Sequence, residues 1–479
     1  MISRHPDDRT ITMSGKYNEK YVEEYNAAIA AYNRGDYEKA AEFMPKAAKE
    51  GDEYAQMVLG KMYYLGKGVE RSAKKAVKWW RKAADAGNES AAELLKWAER
   101  YGCPKNVEFL LTDCFVSGDF EYVITGMDRR VAVSEYKGVS VKPVLKYKVE
   151  YGGETYYLTG IGGYAFDGSQ IESVTIPEGV TTLGEACFED QWELTKVVLP
   201  SSVTEIGTAA FEGCESLSKI DLGGTETIGD YAFEGCMSLK ELILPESVRS
   251  IGKGAFQNCS SLKKVTIPRG VERLSKDVFR DCHSLKTVNV PDSLRHICFG
   301  AFENCAITTM ELPAGVEKFT GGSFLGCVSL KTLTVAEGNI RYRSEKGMVY
   351  DDIDRKLVLC PAGKGANRVE VAPGTVSIGK CAFTKCTGLK EVVLPESLKK
   401  IGASAFVYCE DLENITFSEG LEEICYGAFA YCGSLRKIDV PDSLRKMGDY
   451  SLYETSVTDI RLPKGTDRSL VFGVDEDQR

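Results

Sequence analysis

The main feature of the sequence is a pattern of hydrophobic positions that returns every 22 or 23 residues. Residues 239–259 read LKELILPESVRSIGKGAFQNC, and residues 262–282 and 389–409 are closely similar. A phenylalanine marks almost every unit, and Leu452 completes the series Phe166, Phe188, Phe211, Phe233, Phe256, Phe279, Phe302, Phe324, Phe383, Phe406 and Phe429. Only the step from Phe324 to Phe383 breaks the period. Such regularity predicts an array of stacked repeats, each burying its apolar edge against its neighbours.

Within one repeat the pattern predicts a short strand followed by turns. Leu242 and Leu244 lie two residues apart, as side chains that point inward from a strand do. Pro245 has no amide proton and therefore predicts the end of the strand. Gly252 predicts a turn that requires a positive φ angle. We count thirteen strands, from residues 174–176 to residues 460–462, which at about 4.8 Å per rung predict an array roughly 60 Å long.

These repeats resemble the BspA-like class of leucine-rich repeats, whose units run L-x-x-V-x-L-P-x-x-V-x-x-I-G-x-x-A-F-x-x-C. The resemblance covers about residues 115 to 465. It implies a β solenoid with a binding role, often adhesion to host or matrix proteins in exported members. The interruption NIRYRSEKGMVYDDIDRKLVLCPAGKG, residues 339–365, is similar to hairpin insertions in that family. We expect its strands at residues 348–351 and 356–360, and a polar tip that projects from the solenoid.

Ahead of the solenoid the chain has helical periodicity. Matching positions lie 36 residues apart, as Ala47 and Ala83 do, or Gly51 and Gly87. Residues 54–88, YAQMVLGKMYYLGKGVERSAKKAVKWWRKAADAGN, resemble a Sel-one-like repeat, a relative of the tetratricopeptide repeat, over one full unit with partial units on either side. The positions that carry this match are Tyr63, Tyr64, Leu65, Gly66, Gly68, Ala76 and Ala84. The resemblance implies contact with another protein.

The sequence therefore predicts an α+β multidomain chain, in which a leucine-rich-repeat β solenoid follows a short α-helical repeat domain. We assign residues 1–19 to a disordered N-terminus and residues 20–102 to Sel-one-like helical repeats. A β cap, residues 103–160, is expected to shield the core of the first rung. The solenoid follows at residues 161–465, with the hairpin insertion at 339–365. We interpret residues 466–479 as an acidic, solvated tail.

Charge and composition narrow the kinds of partner and the location. The net charge of −10 disfavours nucleic acid. No stretch approaches 18 consecutive apolar residues, so we expect no membrane insertion. The N-terminus, MISRHPDDRT, lacks the apolar centre of a secretory signal, and we expect a cytoplasmic protein. The alternative is a cell-surface or secreted protein exported by a non-classical route.

Residues with catalytic or metal-binding potential form no constellation in the sequence. The three histidines, His5, His283 and His296, lack a spacing that supports a triad. Cysteines recur in one column of the repeat, which favours small buried thiols, with an occasional disulfide or a metal site as weaker alternatives. That column is Cys214, Cys236, Cys259, Cys282, Cys305, Cys327, Cys386, Cys409 and Cys432. We therefore expect no cofactor and no enzymatic activity.

The remaining candidate site is the outward surface of the predicted strands. We expect its middle rungs to contact a partner at Lys196, Val198, Lys219, Asp221, Glu241, Ile243, Lys264 and Thr266. The sequence thus favours a protein-binding or scaffolding role through this sheet and the helical repeat, with a protein partner whose identity the residues do not reveal. The alternatives are an exported surface adhesin of the BspA-like type and, more distantly, a cytosolic enzyme.

Overall fold

The structure is a computed structural model that describes residues 19–33, 36–70, 72–88, 91–92, 94–95, 114–125, 129–458 and 460–473. The chain divides into two compact units, one of residues 1–114 with 123–130 and one of residues 115–122 with 131–479. The predicted disordered N-terminus lies outside the described residues, except for Glu19. The first unit is helical and the second is the β solenoid.

The helical unit contains α1 (Glu19–Asn33), α2 (Tyr37–Lys49), α3 (Glu53–Leu65) and α4 (Ala73–Asp85). Side-chain caps mark three of the helix starts, because their oxygens accept otherwise unpaired backbone N–H groups. Asp36 accepts from the Lys39 amide, Asp52 from the Ala55 amide and Ser72 from the Lys75 amide. Ala47 and Ala83, which lie at matching positions of the 36-residue spacing, are both buried in the core of this unit.

A glycine permits the close approach of α3 and α4. A Cβ atom on Gly60 would lie 2.4 Å from Cδ1 of Trp80, closer than two carbon atoms can pack. The Trp80 side chain is 1% exposed, and its Nε1 donates a hydrogen bond to the Met57 carbonyl over 3.3 Å. Trp80 is therefore a core residue, whereas Trp79 is only half-buried, with the Lys82 amine over its ring.

The solenoid begins with five strands, β1 (Cys114–Ser117), β2 (Phe120–Ile124), β3 (Arg130–Tyr136), β4 (Lys148–Tyr151) and β5 (Glu154–Ile161). Strand β5 pairs antiparallel with β4, and its last residues pair in parallel with the first rung. The rings of Phe120 and Tyr136 lie against the Phe166 ring, at centroid distances of 6.3 and 5.4 Å. These aromatic side chains therefore cover the apolar end of the repeat array.

Each regular rung contributes a three- or four-residue strand to the surface that we call the front face. These strands are β6 (Ser173–Thr175), β8 (Lys196–Val198), β11 (Glu241–Ile243), β13 (Lys264–Thr266), β15 (Thr287–Asn289), β17 (Thr309–Leu312), β18 (Thr332–Val335), β22 (Arg368–Glu370), β24 (Glu391–Val393) and β26 (Asn414–Thr416). They form separate parallel ladders: β6–β8, β11–β13–β15, β17–β18 and β22–β24–β26. Three of the thirteen predicted segments, 220–222, 438–440 and 460–462, contain no strand among their described residues.

A second ladder of two-residue strands was not predicted. It contains β7 (Thr182–Leu183), β9 (Glu205–Ile206), β10 (Thr227–Ile228), β12 (Ser250–Ile251), β14 (Arg273–Leu274), β16 (His296–Ile297), β23 (Ser377–Ile378), β25 (Lys400–Ile401), β27 (Glu423–Ile424) and β28 (Lys446–Met447). In each of these strands one residue points inward and is buried, and the other points outward. The solenoid therefore has two sheet surfaces rather than one.

The prediction of a positive φ angle at Gly252 is wrong. The left-handed residues of that rung are Gly254 and Asn258, both with φ 58°. At Gly252 a Cβ atom would lie 2.4 Å from the carbonyl carbon of Gly229 in the neighbouring rung. The repeat therefore uses glycine here because the stacked backbones approach closely, and not because the turn is left-handed.

The phenylalanines form a stack along the solenoid interior. From Phe166 to Phe324 the ring centroids of neighbouring rungs lie 4.7–5.9 Å apart with nearly parallel planes. The stack resumes from Phe383 to Phe429. Between the two series Cys360 occupies the position of the rung phenylalanine. Its amide donates to the Ala382 carbonyl, just as the Phe383 amide donates to the Ala405 carbonyl. Buried aromatic area of this kind is a large stabilising contribution per residue.

The cysteine column has a role that the sequence did not predict. The Cys259 thiol is fully buried and donates to the Phe233 carbonyl of the preceding rung over 3.3 Å. The same contact recurs from Cys214 to Cys432, at 2.9–3.7 Å. In the first rung Gln191 takes this place and donates to the Phe166 carbonyl over 3.0 Å. Each thiol thus adds a second hydrogen bond to a buried carbonyl, such as that of Phe233, which also accepts from the Cys236 amide over 3.3 Å.

The insertion does not project from the solenoid, so that prediction is wrong. Strands β19 (Tyr342–Glu345), β20 (Met348–Asp351) and β21 (Lys356–Leu359) form an antiparallel sheet, and β21 pairs in parallel with β23 of the next rung. Asp351, expected at a polar tip, is 1% exposed, and its carboxylate accepts from Arg341 Nη2 over 2.8 Å. Because β20 and β21 are almost entirely buried, the hairpin joins two sub-arrays of the solenoid.

The end of the chain is also part of the fold. A short helix, α5 (Arg468–Phe472), begins within the segment assigned to a solvated tail, and Val471 is 1% exposed. The Leu452 amide donates to the Val471 carbonyl, so α5 takes the place of a further rung. The prediction of a solvated tail is therefore wrong for residues 466–473, because these residues cover the last apolar layer of the solenoid. The acidic residues 475–477 lie outside the described residues.

Candidate partner-binding surface

The structure places six of the eight predicted contact residues on front strands and the other two in the rung between β8 and β11, and all eight side chains are exposed. Lys196 and Val198 lie on β8, Glu241 and Ile243 on β11, and Lys264 and Thr266 on β13. They point outward because the residue between each pair, such as Leu242, points into the core. The exposed fractions of Val198 and Ile243, 40% and 74%, are high for apolar side chains in a sheet.

Strand register brings four of these residues into direct contact range. Glu241 pairs with Lys264, and Ile243 pairs with Thr266, across the parallel β11–β13 ladder. Directly opposed residues on neighbouring strands lie close enough for their side chains to interact. Rungs β11 and β13 therefore combine an apolar position with charges of both signs.

Lys219 and Asp221 lie in a rung without a front strand. Asp221 is followed by Gly223 and Gly224 where other rungs have a proline, and its Oδ1 accepts from the Gly223 amide over 3.0 Å. This turn interrupts the ladder between β8 and β11. Asp221 is thus partly committed to its own backbone, whereas the Lys219 side chain is exposed.

The basic residues of this region differ from those further along the front face. The structure records no ion pair for Lys196, Lys219 or Lys264 within the part of the chain it describes. Near β22 and β24, by contrast, Arg368 pairs with Glu370 and Glu391. Side chains that are not engaged internally remain available for a partner of opposite charge. The front face is therefore most available for electrostatic contact between β8 and β13.

Sequence reasoning missed a neighbouring basic column. Lys240, Lys263 and Lys286 occupy the position before each front strand, and all three are exposed. Their amides donate to carbonyls of the preceding rung, which fixes where each side chain leaves the fold. The repeated leucine–lysine pair at the start of a unit was the available signal. These lysines widen the basic surface beside Lys264.

An acidic column lies on a different surface, at the position after the rung phenylalanine. Burial raises the pKa of Glu189, Glu212 and Glu234 above the usual glutamate value. Neighbouring carboxylates raise the pKa of Glu189 and Glu212 further, whereas a hydrogen bond from Gln257 opposes the rise at Glu234. Opposite charges therefore occupy separate sides of the same rungs.

The solenoid architecture and the repeated residues define a class, the leucine-rich repeat proteins. The description "BspA type Leucine rich repeat region" matches residues 155–263, 249–346 and 363–469, more than half of the chain. The chain belongs to this family. The Sel1 repeat matches residues 25–52 and 53–88, where the sequence analysis recognised one full unit with partial units on either side. A comparison with curated proteins gives no significant match.

Solved structures with similar folds come from several bacteria. A leucine rich cell surface protein of Faecalibacterium prausnitzii is 28% identical, with a TM-score of 0.58, over 70% of this chain and 84% of that one. A leucine-rich repeat protein of Bacteroides ovatus is 26% identical, with a TM-score of 0.49, over 71% and 92%. One from T. pallidum is 30% identical, with a TM-score of 0.34, over 36% and 81%. No helix in the described ranges is both long and apolar enough to cross a bilayer.

Proposed function

We propose that this chain is a non-enzymatic binding protein that captures a protein partner on the front face between β8 and β13. The observation that carries the proposal is the set of exposed lysines without internal ion pairs beside the exposed side chains of Val198 and Ile243. Apolar side chains supply binding free energy when a partner excludes water from them. The lysines favour an acidic partner surface and increase the rate of encounter.

We further propose that the protein acts at the cell surface as an adhesin, the alternative to the cytoplasmic scaffold. The support is the leucine rich cell surface protein of F. prausnitzii, to which 70% of this chain is structurally similar. The cysteines do not distinguish between the compartments. A thiol such as Cys259, with no exposed surface and a pKa raised by burial, reacts slowly with oxidants in either one.

The location is tested on intact native cells. Brief protease treatment followed by mass spectrometry should remove solenoid peptides from the cells and leave a cytosolic marker protein intact. Solenoid peptides that are lost only after cell lysis would support the cytoplasmic scaffold instead.

The binding surface is tested with a charge-reversal variant, Lys196→Glu with Lys219→Glu and Lys264→Glu. A partner captured by the wild-type chain would be identified and purified, and its affinity measured at two salt concentrations. We expect the variant to fold, because exposed charges contribute little stability, and to bind at least about tenfold more weakly at low salt.

A matched control makes the same charge change at exposed lysines outside the front strands, Lys318→Glu, Lys346→Glu and Lys464→Glu. This control should retain the wild-type affinity. Equal weakening by both variants would mean that net charge matters and the front face does not. Unchanged binding by both would direct the search to the helical repeat around Trp79.

A further inference from the structure

Five tyrosines form a continuous patch on the last three regular rungs, on a surface distinct from the front face. We call Tyr408, Tyr426, Tyr431, Tyr450 and Tyr453 the tyrosine patch. The rings of Tyr408 and Tyr431 stack with centroids 4.5 Å apart, and Tyr453 meets Tyr431 edge-on at 5.3 Å. Tyr450 joins Tyr453 at 5.8 Å and Tyr426 at 5.6 Å.

The repeat positions these rings outward. Tyr408 and Tyr431 occupy the left-handed position two residues after the rung phenylalanine, each with φ 60°. Tyr450 occupies the other left-handed position, with φ 56°, and Tyr426 lies one residue before the corresponding position of its rung, Gly427. A left-handed conformation is unfavourable for a side chain as large as tyrosine, and several rungs use glycine there instead. Tyr426 and Tyr450 remain the most exposed members of the patch, at 57% and 41%.

Acidic residues border one side of the patch. Tyr408 and Tyr431 line an open groove of about 460 Å³ together with Glu410, Asp411 and Glu454. Asp411 accepts a hydrogen bond from the Gly388 amide over 2.9 Å. Within the described part of the chain, none of these three carboxylates forms an ion pair. The groove therefore joins aromatic rings to three carboxylates, of which Asp411 also interacts electrostatically with Lys390.

The same fold already places cations on tyrosines of these two columns. The Lys253 amine lies 5.0 Å from the centroid of Tyr231, and the Lys385 amine lies 5.9 Å from that of Tyr408. Such cation–π contacts are favourable because the face of the ring is electron-rich. Among the described residues, no cation of the chain lies over Tyr426, Tyr431, Tyr450 or Tyr453. These rings are therefore open to a cation from outside.

We propose that the tyrosine patch and its bordering carboxylates bind lysine or arginine side chains of an extended segment in a protein partner. One cation of the segment lies over the rings of Tyr426 and Tyr450, and Glu410 and Glu454 hold a second cation in the groove beside Tyr431. Charge complementarity selects this occupant, since an anionic or purely apolar segment would leave the three carboxylates unpaired. This surface is independent of the front-face lysines, which favour the opposite charge.

The test uses the full chain and two fluorescent eight-residue peptides, one alternating arginine with glycine and the other glutamine with glycine. Fluorescence anisotropy should detect binding of the arginine peptide only. The double variant Tyr426→Leu with Tyr450→Leu should weaken binding about tenfold, since two cation–π contacts are lost. The matched variant Tyr426→Phe with Tyr450→Phe keeps the aromatic faces and should bind like wild type. Circular dichroism verifies that each variant is folded.

Three outcomes would overturn the proposal. The first is equal binding of both peptides. The second is equal affinity of the leucine and phenylalanine variants, which would leave charge alone as the cause. The third concerns the chain's own end, because Gly473 lies against the rings of Tyr450 and Tyr453. If the arginine peptide binds only to a chain that ends at Gly473, residues 474–479 are the occupant. The Lys196, Lys219 and Lys264 variant should bind the peptide normally, so the two binding surfaces fail or succeed separately.

Discussion

At the scale of single residues, the cysteine column shows what a repeat pattern leaves open. The spacing correctly predicts buried thiols, because a position that returns with the rung phenylalanine faces the core. The hydrogen bond to a backbone carbonyl could not be predicted, since it depends on how the backbone of the preceding rung is placed in the fold. The replacement of this cysteine by Gln191 in the first rung was the one available clue.

The role of the thiol as a donor predicts a difference between two small replacements of Cys259. Cys259→Ser retains a donor for the Phe233 carbonyl, whereas Cys259→Ala removes one of the two hydrogen bonds that this buried carbonyl accepts. We expect the alanine variant to be less stable than the serine variant by about 1 kcal/mol. Urea unfolding of both proteins measures the difference. If alanine is the better replacement, the thiol acts only as an apolar filler.

The acidic column predicts a pH-dependent gain in stability from Glu212→Gln. Burial and then the carboxylates of Glu234 and Glu189 raise the pKa of Glu212 in the folded state. Ionised Glu212 therefore destabilises the fold above the pKa of the unfolded chain, about 4.3, and the penalty disappears below it. We expect a gain of about 0.5 kcal/mol at pH 7 that fades by pH 4. Glu226→Gln, at an exposed position, is the control, and an equal gain there would remove this explanation.

At the scale of elements, the sequence predicts the strands of the insertion but not their place. Residues 348–351 and 356–359 do form strands, close to the 348–351 and 356–360 expected from the resemblance to hairpin insertions. The polar residues Asp351, Asp352, Asp354 and Arg355 suggested a projecting tip. Asp351, however, is enclosed by Arg341 and by the backbone amides of the two residues that follow Asp352. Arg341 lies ten residues from Asp351 in sequence, so the burial of this charge depends on the tertiary fold. A local pattern of polar residues does not encode it.

The buried carboxylate predicts that this hairpin is a structural joint. Asp351→Ala removes the acceptor of two backbone amides and the partner of Arg341. We expect a loss of about 3 kcal/mol in the free energy of unfolding. Asp352→Ala, next to it but exposed, should cost far less. Similar small losses in both variants, measured by urea unfolding, would restore the interpretation of the hairpin as a peripheral loop.

At the scale of the whole molecule, the repeat period predicts a solenoid because each rung must bury its apolar edge on the next. The two ends were harder to predict. The aromatic side chains of β1–β5 and the helix α5 both cover the array, but neither repeats the unit, so the periodicity carries no information about them. The second sheet was missed because two-residue strands give no alternation to detect.

The front face was predictable as a surface, because outward positions follow from inward ones. The function of this face was harder to predict, because exposure alone does not distinguish a solvated sheet from a binding surface. The difference is tertiary: among the described residues Lys196, Lys219 and Lys264 form no ion pair, whereas Arg368 and Lys390 do. The tyrosine patch could not be recognised from the sequence, because only Tyr408 and Tyr431 share the 23-residue spacing. The other three tyrosines join them only in the folded structure.

The most direct test of partner binding on the front face is a lysine footprint of the purified complex. Acetylation of free and partner-bound chain, followed by mass spectrometry, measures the reactivity of each lysine amine. We predict that the partner slows acetylation of Lys196, Lys219 and Lys264 severalfold and leaves Lys318, Lys346 and Lys464 unchanged. Unchanged reactivity at the first three lysines, in a complex that is demonstrably formed, would contradict the account.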